Sequence, residues 1–227
     1  MNIAGFMKTS FVDYPGKIAS VVFTQGCNLR CGYCHNLSLL DIDDASTSTV
    51  PEGILEFLFK RKGMIDAVVV SGGEPTLQRD LHDFIKELRT MNMLVKLDTN
   101  GTNPNVLRAL IKDKLLDFIA MDLKAPLNKY EYITETSCLN LSSVLKSVEI
   151  IKRCGLAHEF RTTLCPELEV DDIPRIILDF DIANNYVVQR CRSTKLKKVP
   201  RNKQDLKRLT QWSNMNLPLS FRGFEVG

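Results

Sequence analysis

The sequence predicts an α/β fold in which parallel strands form a sheet and helices cover its outer side. Short apolar runs alternate with amphipathic helical segments, and polar residues follow each run where a strand would end. The repeat of roughly thirty residues matches one strand–helix–strand unit. Six such units are too few for a closed barrel of eight. The pattern therefore leaves two alternatives, a partial barrel and an open doubly wound sheet.

The strands are predicted where β-branched apolar residues cluster between turn residues. A short first strand at residues 3–6 precedes a turn at 13–16, where Pro15 and Gly16 favour a reversal of the chain. The strands of the repeating units are predicted at 19–24, 67–70, 94–97, 118–121, 159–164 and 186–189. A last edge strand is predicted at 218–221.

Helices are predicted where apolar residues recur every three or four positions. The first begins near Pro51, with Glu52 facing the positive end of the helix dipole. The other helices are predicted at 80–91, 104–112, 142–154, 173–183 and 204–215. The helix at 80–91 places its apolar residues on one face: Leu81, Phe84, Ile85 and Leu88. The connections at 41–49 and 190–203 are predicted to be loops, and 127–141 is predicted to be irregular with short helical turns.

Composition and charge exclude several classes of protein. A net charge of +3 is too small to indicate a nucleic-acid partner, and no apolar run is long enough for a membrane span. The N-terminus lacks the features of a signal peptide, so the seven cysteines indicate a reducing compartment, and we expect a cytoplasmic protein. We expect one domain over residues 1–227, with an N-terminal extension at 1–17 and a C-terminal segment at 190–227 that could face a partner.

Three cysteines within eight residues carry the strongest chemical signal. Cys27, Cys31 and Cys34 directly follow an apolar run and lie in a polar, loop-like stretch. Thiolates suit zinc, copper(I) or iron–sulfur clusters, but a structural zinc site or an ordinary cubane cluster takes four protein ligands. The next cysteine, Cys138, is far along the chain. A cluster held by three thiolates would leave one iron open to a substrate. The remaining cysteines, scattered singly, are expected to be buried or idle thiols.

Polar residues follow the predicted strands at what would be a single edge of a parallel sheet. Gly72 and Gly73 would let backbone approach a ligand closely, and the carboxylate of Glu74 suits an ammonium group. Lys124 and Arg161 suit a carboxylate, and Asp98 and Asp122, which follow consecutive strands, could hold a cation or sugar hydroxyls. Each of these motifs taken alone has an ordinary alternative, namely a plain turn, a pair of helix-capping aspartates or a pair of solvated bases. Together, these residues predict a ligand with an amino acid end and a nucleoside end.

The cysteine motif resembles the signature of the radical S-adenosylmethionine (SAM) superfamily, including the aromatic Tyr33 before the third cysteine. The stretch Ser71-Gly72-Gly73-Glu74-Pro75 resembles that superfamily's site for the methionine amino group. More narrowly, the chain resembles the activating enzymes of glycyl-radical proteins, and within them the activating proteins of anaerobic ribonucleoside-triphosphate reductase. The narrower resemblance rests on Cys34-His35-Asn36 and on residues 11–17, 97–101, 120–126 and 160–163.

This resemblance implies a partial (β/α)6 TIM-like barrel that holds a [4Fe–4S] cluster on Cys27, Cys31 and Cys34, with SAM at the open iron. The residues it implies for SAM binding are Tyr33, His35, Gly72, Gly73, Glu74, Asp98, Thr99, Asn100, Asp122, Lys124, Arg161 and Gln189. It also implies a monovalent cation, which would lie among Asp98, Thr99, Met121 and Asp122.

The activity implied by the resemblance is reductive cleavage of SAM to a 5′-deoxyadenosyl radical, which installs a glycyl radical on a partner enzyme. No separate catalytic side chain is implied, because the cofactors carry the difficult chemistry. The implied partners are a glycyl-radical enzyme and an electron donor such as flavodoxin or ferredoxin.

Two alternatives remain open from the sequence. One is a radical SAM enzyme that acts on a small molecule, similar to 7-carboxy-7-deazaguanine synthase. The other is a non-enzymatic iron–sulfur electron carrier or zinc protein, for which only His35 is near enough in sequence to be a fourth ligand. Two features depart from the activating enzymes, namely Cys191 and the basic run at 195–198. Both concern the choice of partner more than the chemistry.

Overall fold

Strands and helices alternate along the chain in the predicted order. The computed structural model describes residues 1–41, 51–137, 139–191, 207–209, 211–212 and 219–224. The strands are β1 (Ile3–Ser10), β2 (Ala19–Thr24), β3 (Ala67–Gly72), β4 (Leu94–Thr99), β5 (Phe118–Asp122), β6 (Ala157–Leu164), β7 (Tyr186–Arg190) and β8 (Leu219–Arg222). The helices are α1 (Pro51–Lys60), α2 (Leu81–Thr90), α3 (Pro104–Lys112), α4 (Tyr130–Thr134), α5 (Leu141–Arg153) and α6 (Asp172–Asp179).

Most predicted bounds agree with the structure to within a few residues. The apolar face of α2 is buried as predicted, and the connection after β5 contains a 3-10 turn at Leu127–Lys129 followed by α4. Strand β4 extends to Thr99 and β5 to Asp122, because the polar residues that follow each apolar run still belong to the strand. No helix in the described part of the chain has the length and apolar character needed to cross a membrane.

The prediction for the helix at 173–183 is wrong at its C-terminal end. Helix α6 ends at Asp179, and Asp181 then adopts a left-handed backbone conformation with φ of 49°. The amide of Ile182 donates to the carbonyl oxygen of Ile177 at 3.0 Å, which is the hydrogen bond of a Schellman C-cap. Apolar periodicity continues past this point, but aspartate and asparagine are the non-glycine residues that most readily enter this conformation.

Several predictions fall wholly or partly outside the described residues. Almost all of the predicted loop at 41–49, most of that at 190–203 with its basic run, and Cys138 lie there. Of the helix predicted at 204–215, residues 207–209, 211 and 212 are described, and these are helical.

The chain divides into two compact units, of which the first comprises residues 1–28, 36–120 and 142–157. In this unit β2, β3 and β4 run parallel, with Val21 paired to Val69 and Val69 to Lys96, while β1 pairs antiparallel with β2. Apolar side chains of β2 and β3 form a core that is covered by Tyr14, from the turn predicted at 13–16. Near-continuous apolar strands of this kind are typical of parallel sheets, which are covered on both faces.

The second unit comprises residues 29–35, 121–141 and 158–227. Strands β6, β7 and β8 run parallel in it, with Gln189 of β7 paired to Thr163 on one side and Arg222 on the other. Two of its buried hydroxyls are paired: the Tyr186 hydroxyl donates to Thr162 Oγ1 at 2.6 Å, and the Thr162 hydroxyl donates to the carbonyl oxygen of Leu123 at 2.7 Å. Each unit therefore has parallel strands with helices, and the α/β class is confirmed.

Candidate functional site

Backbone hydrogen bonds in the first unit hold Gly26 and Cys27, which form the neck of the cysteine loop. The amide of Gly26 donates to the carbonyl oxygen of Leu39 at 2.8 Å, and the amide of Cys27 donates to that of Leu40 at 3.2 Å. Gly26 has a φ of 92°, a left-handed conformation that favours glycine. Cys27 is half-buried at the start of the loop.

The second and third cysteines belong to the second unit, where a tight turn fixes their spacing. The amide of Cys34 donates to the carbonyl oxygen of Cys31 at 2.9 Å, and the amide of Arg30 donates to that of Thr134 at the same distance. Leu29 is 1% exposed and anchors this part of the loop. Cys31 is buried and Cys34 half-buried, whereas His35 is exposed.

Gly72 and Gly73 let two stretches of the chain's own backbone approach each other. The amides of Gly73 and Glu74 donate to the carbonyl oxygens of Thr24 and Gly26 at 2.9 and 2.8 Å. A Cβ atom on Gly72 would lie 2.2 Å from the amide nitrogen of Thr24, and one on Gly73 would lie 2.1 Å from the carbonyl oxygen of Gly26. The glycines are therefore required for docking β3 against the segment that leads into Cys27.

Glu74 is fully buried, and its carboxylate organises the end of the neighbouring strand. Oε1 accepts hydrogen bonds from the amide and hydroxyl of Thr76, at 3.1 and 2.5 Å, and from the hydroxyl of Thr99 at 2.7 Å. Oε2 accepts from the amide of Asn100 at 2.6 Å. Burial raises the pKa of Glu74, and these hydrogen bonds oppose that rise. The side chain thus joins the turn after β3 to the end of β4.

The end of β4 is also joined to the cysteine loop within the first unit. The Asn100 side chain donates to Asn28 Oδ1 at 2.9 Å, and Asn28 in turn donates to Thr102 Oγ1 at 2.9 Å. Asn28 lies directly after Cys27. The asparagine predicted as a SAM contact therefore has a hydrogen bond that fixes the orientation of the loop.

Asp98 lies at the end of β4, and it is paired inside the first unit. Its Oδ1 lies 2.9 Å from Nζ of Lys96, and its Oδ2 accepts a hydrogen bond from Ser71 Oγ at 3.2 Å. Within the described part of the chain, no three His, Cys, Asp or Glu side chains are grouped to hold a metal ion, so the cluster on Cys27, Cys31 and Cys34 stays a prediction. Lys96 was not among the predicted site residues.

A chain of alternating charges crosses the second unit. Asp122 lies 3.0 Å from Nζ of Lys124 and 2.8 Å from Nε of Arg161. Glu159 lies 3.8 Å from Arg161 and accepts two hydrogen bonds from Arg222, at 3.2 and 2.9 Å. Two parallel bonds of this kind fix both side chains. The strands bring these five side chains together, although only three of them were predicted.

The charges in this chain stabilise one another's ionised forms. Burial raises the pKa of the Asp122 carboxyl, but the positive charges of Arg161 and Lys124 outweigh it and hold the net pKa well below the ordinary value of 3.8. Burial is the largest single effect on the pKa of Lys124 and lowers it, but Asp122, by its charge and its hydrogen bond, acts together with Tyr33 and Cys31 and leaves that pKa well above 10.5. The second unit therefore presents a fixed array of charged groups. Met121, which was predicted as a cation ligand, is completely buried.

Tyr33, in the cysteine loop, provides a test of whether the second unit fits a polar ligand. The residue is 7% exposed, and among the described residues its hydroxyl has no hydrogen-bond partner. Burial raises the pKa of this hydroxyl well above 10.0, and the nearby charge of Lys124 opposes the rise. Because a buried hydroxyl without a partner is unfavourable, a bound molecule with a polar edge would satisfy it. The second unit therefore has one buried hydroxyl that suits a polar ligand.

The cysteines outside the loop are placed as expected where they are described. Cys165 is fully buried, which raises the pKa of its thiol to about 12, and Cys191 is 3% exposed. The half-buried Cys154 donates to the carbonyl oxygen of Ile151. Thiols with a raised pKa are poor metal ligands and nucleophiles.

Comparison with protein families identifies the chain. The family model of the radical SAM superfamily matches residues 21–180. A protein of Methanocaldococcus jannaschii named as a glycyl-radical enzyme activating enzyme is 36% identical over 198 residues, covering 83% of this chain and 79% of that protein. The pyruvate formate-lyase-activating enzyme of Clostridium pasteurianum is 34% identical over 163 residues, covering 69% of this chain and 66% of the relative.

Solved structures agree on the fold. The structure of SuiB from Streptococcus suis bound to S-adenosylmethionine matches with a TM-score of 0.67 at 17% identity. The match covers 88% of this chain and 48% of SuiB, so the chain spans about half the length of that protein. At this identity the likeness shows the fold alone, and it confirms the partial TIM-like α/β architecture. The chain therefore belongs to the radical SAM superfamily, and it is an oxidoreductase of that type.

Proposed function

We propose that this protein is the activating enzyme of a glycyl-radical enzyme, and that its partner is anaerobic ribonucleoside-triphosphate reductase. The observation that carries the proposal is the cysteine motif, taken together with the sequence identity between this chain and a protein named as an activating enzyme. The motif Cys27-x-x-x-Cys31-x-x-Cys34 lies in a chain that is 36% identical to a protein named as such an activating enzyme, over most of both lengths.

Membership of the superfamily implies a [4Fe–4S] cluster and SAM. We assign the cluster to Cys27, Cys31 and Cys34, whose thiolates leave one iron without a protein ligand. Held there and reduced, the cluster would supply the electron for cleavage of SAM to methionine and a 5′-deoxyadenosyl radical. The tight turn between Cys31 and Cys34 supports the assignment, because it fixes the spacing of the backbone that carries two of the thiols.

In the first unit, we assign the amino group of SAM to the backbone of Gly72 and Gly73. These residues are partly exposed, whereas the Glu74 carboxylate is fully buried and already accepts four hydrogen bonds. Glu74 would act by holding the backbone around it in place. Asp98, Thr99 and Asn100 would complete this part of the site through the hydrogen bonds that join β3, β4 and the cysteine loop.

In the second unit, we assign the carboxylate of SAM to the positive groups of Lys124 and Arg161, and its nucleoside to Tyr33. Lys124 is held by Asp122, and Arg161 by Asp122 and Glu159, so neither would need to be ordered on binding. Such preorganised groups stabilise charge without reorganisation. His35, exposed at the end of the loop, and Gln189, on β7, are assigned more peripheral contacts with the adenosine end.

The choice of partner rests on the resemblance of residues 11–17, 97–101, 120–126 and 160–163 to the activating proteins of anaerobic reductases. The structure gives several of these stretches a physical role. Tyr14 covers the core of the first unit, Asn100 orients the cysteine loop, and Arg161 belongs to the charge chain. We also propose flavodoxin or ferredoxin as the electron donor. The single-domain organisation and the cytoplasmic location stay predictions.

The test is to mix the anaerobically reconstituted protein with SAM, a reductant and a candidate reductase, and to record the electron paramagnetic resonance spectrum. A glycyl-radical doublet is expected in the reductase, and it should be absent when its radical-bearing glycine is replaced by alanine. A protein that cleaves SAM but yields no radical on any glycyl-radical enzyme would contradict the proposed partner. The small-molecule alternative would then be favoured.

A further inference from the structure

Lys96 is a buried cation that the proposed mechanism does not use. The residue is 3% exposed and lies on β4, two residues before Asp98 and therefore on the same face of the strand. Its Nζ lies 2.9 Å from Oδ1 of Asp98 and donates to the carbonyl oxygen of Asp13 at 2.7 Å. The same nitrogen lies 5.8 Å from the centroid of the Phe118 ring. These contacts all favour a positive charge at this position.

The other side of the ammonium is held by the turn at 13–16. The amides of Val12 and Asp13 donate to Ser10 Oγ at 3.2 and 3.3 Å, and that hydroxyl donates to the Asp13 carboxylate. Tyr14 packs in the core beside this turn. The carbonyl oxygen of Asp13 is therefore a fixed acceptor, and Lys96 connects it to Asp98.

Asp98 has no need of a further cation in this arrangement. Its Oδ1 faces the Lys96 ammonium and its Oδ2 accepts from Ser71, while Thr99 Oγ1 donates to Glu74. A metal ion bound at Asp98 would lie close to a buried ammonium and would be repelled by it. In the second unit, Asp122 is likewise paired with Lys124 and Arg161. The described residues therefore do not fit the monovalent cation that the family resemblance implies.

We propose that Lys96 takes the place of a monovalent cation in this protein: its ammonium neutralises Asp98 and positions the Asp98 carboxylate at the end of β4. Lys96 is thus a positioning residue that acts through Asp98, and the chain needs neither sodium nor potassium at this carboxylate. The contribution of Asp98 to SAM binding rests on the proposed function. The neutralisation of Asp98 by Lys96 does not, so it is tested without SAM.

The first experiment compares thermal unfolding of the cofactor-free protein in potassium chloride, sodium chloride and tetramethylammonium chloride at equal ionic strength. The wild-type Tm should differ by less than about 1 °C among the three salts. An ion bound with its concentration 100-fold above its Kd would instead raise the Tm by roughly 5 to 10 °C. A rise of that size in potassium or sodium would overturn the proposal.

Variants of Lys96 and Asp98 show whether Lys96 acts through its charge on Asp98 or only by filling space. Lys96→Met should lower the Tm by roughly 10 °C, because it leaves a half-buried carboxylate without its partner. That variant should regain part of the loss in potassium or sodium chloride but not in tetramethylammonium chloride. The double variant Lys96→Met/Asp98→Asn, which removes both charges, should be more stable than Lys96→Met and insensitive to the cation. Lys86→Met, at an exposed lysine of α2, is the matched control and should behave as wild type.

If Lys96→Met does not fold, the double variant still decides the matter, because a charge pair predicts that it folds and a purely steric role predicts that it does not. A double variant no more stable than Lys96→Met would overturn the proposal. With the cluster-loaded enzyme, the yield of 5′-deoxyadenosine should be the same in potassium and in tetramethylammonium salts, and a several-fold dependence on potassium would also overturn it. If the wild type cleaves no SAM in any salt, the proposed function fails, while the unfolding results still decide the role of Lys96.

Discussion

Replacing Gly73 with alanine tests whether the backbone contact at the neck of the cysteine loop controls both stability and cluster binding. The added Cβ would lie 2.1 Å from the carbonyl oxygen of Gly26 and 2.6 Å from its carbon. An ordinary contact begins at 3.4 Å, so the two backbone segments would have to separate by about 1.3 Å. Neither partner is a flexible side chain that could turn away.

The loss of stability expected for Gly73→Ala has two contributions. Overpacking of a well-packed site costs about 1 to 3 kcal/mol, and separating the segments also removes the hydrogen bond from the Glu74 amide to Gly26, for about 1 kcal/mol more. The free energy of unfolding should therefore fall by about 3 kcal/mol. For a chain of this size, that corresponds to a Tm lower by roughly 6 to 12 °C. Because Gly26 precedes Cys27, the iron content after reconstitution should fall as well.

The assay is thermal unfolding of the cofactor-free protein, followed by iron and sulfide analysis after anaerobic reconstitution. Gly53→Ala is the matched control, because Gly53 is exposed in α1 and an added Cβ there meets nothing within 4 Å. Alanine is the better helix former, so this variant should gain about 0.5 kcal/mol and bind the cluster normally. If Gly73→Ala unfolds at the wild-type temperature with full iron content, the close contact at the neck does not control the loop.

Three further variants test the remaining parts of the site. Glu74→Gln should lower the free energy of unfolding in denaturant by about 3 kcal/mol, since a buried amide N–H must face another donor. Glu131→Gln, at an exposed position, is the control and should change that free energy by less than about 0.5 kcal/mol. Equal free energies of unfolding for the two variants would contradict the role of Glu74. Against the opposing effect of burial, Arg161 and Lys124 hold the pKa of Asp122 below 3.8 in the folded protein. Its carboxylate therefore contributes stability at neutral pH, which begins to fall near pH 3.8 and is lost as the pH falls through the lowered pKa of the folded protein. Asp122→Asn should therefore lose less stability than the wild type between about pH 5 and pH 3. The same pH dependence in both proteins would argue against the pairing of Asp122 with Arg161 and Lys124. Tyr33→Phe should stabilise the cofactor-free protein by up to about 1 kcal/mol and weaken SAM binding by roughly 2- to 12-fold in calorimetry, and unchanged affinity would remove Tyr33 from the site.

One rule of parallel sheets governs the prediction of the site from the sequence, and the site residues themselves stay a prediction. Polar residues that follow successive strands of a parallel sheet are expected at one edge, which is why Glu74, Asp98 and Asp122 could be selected from their positions directly after apolar runs. The helix periodicity is equally direct, as the buried face of α2 shows. The end of α6 was missed because apolar periodicity continues beyond the left-handed Asp181.

The partners of those residues could not be predicted, since they depend on register and on contacts distant in sequence. Nothing near Arg161 in the chain indicates that Arg222 of β8 binds the neighbouring Glu159. The alternation of charged residues in β4 and β6 was the available signal, because residues two apart share one face of a strand. It would have drawn attention to Lys96 and Glu159. The burial of Glu74 had no such signal, because Gly-Gly-Glu-Pro also describes an exposed turn.

The central claim is that the three cysteines of the loop hold a cluster that cleaves SAM. The most direct measurement is the amount of 5′-deoxyadenosine formed from SAM by the anaerobically reconstituted protein after reduction with dithionite. The wild type should form it, Cys31→Ala should form none because the cluster loses a ligand, and Cys154→Ala, outside the loop, should match the wild type. Undiminished formation by Cys31→Ala, or none by a wild type that holds its full complement of iron, would contradict the claim.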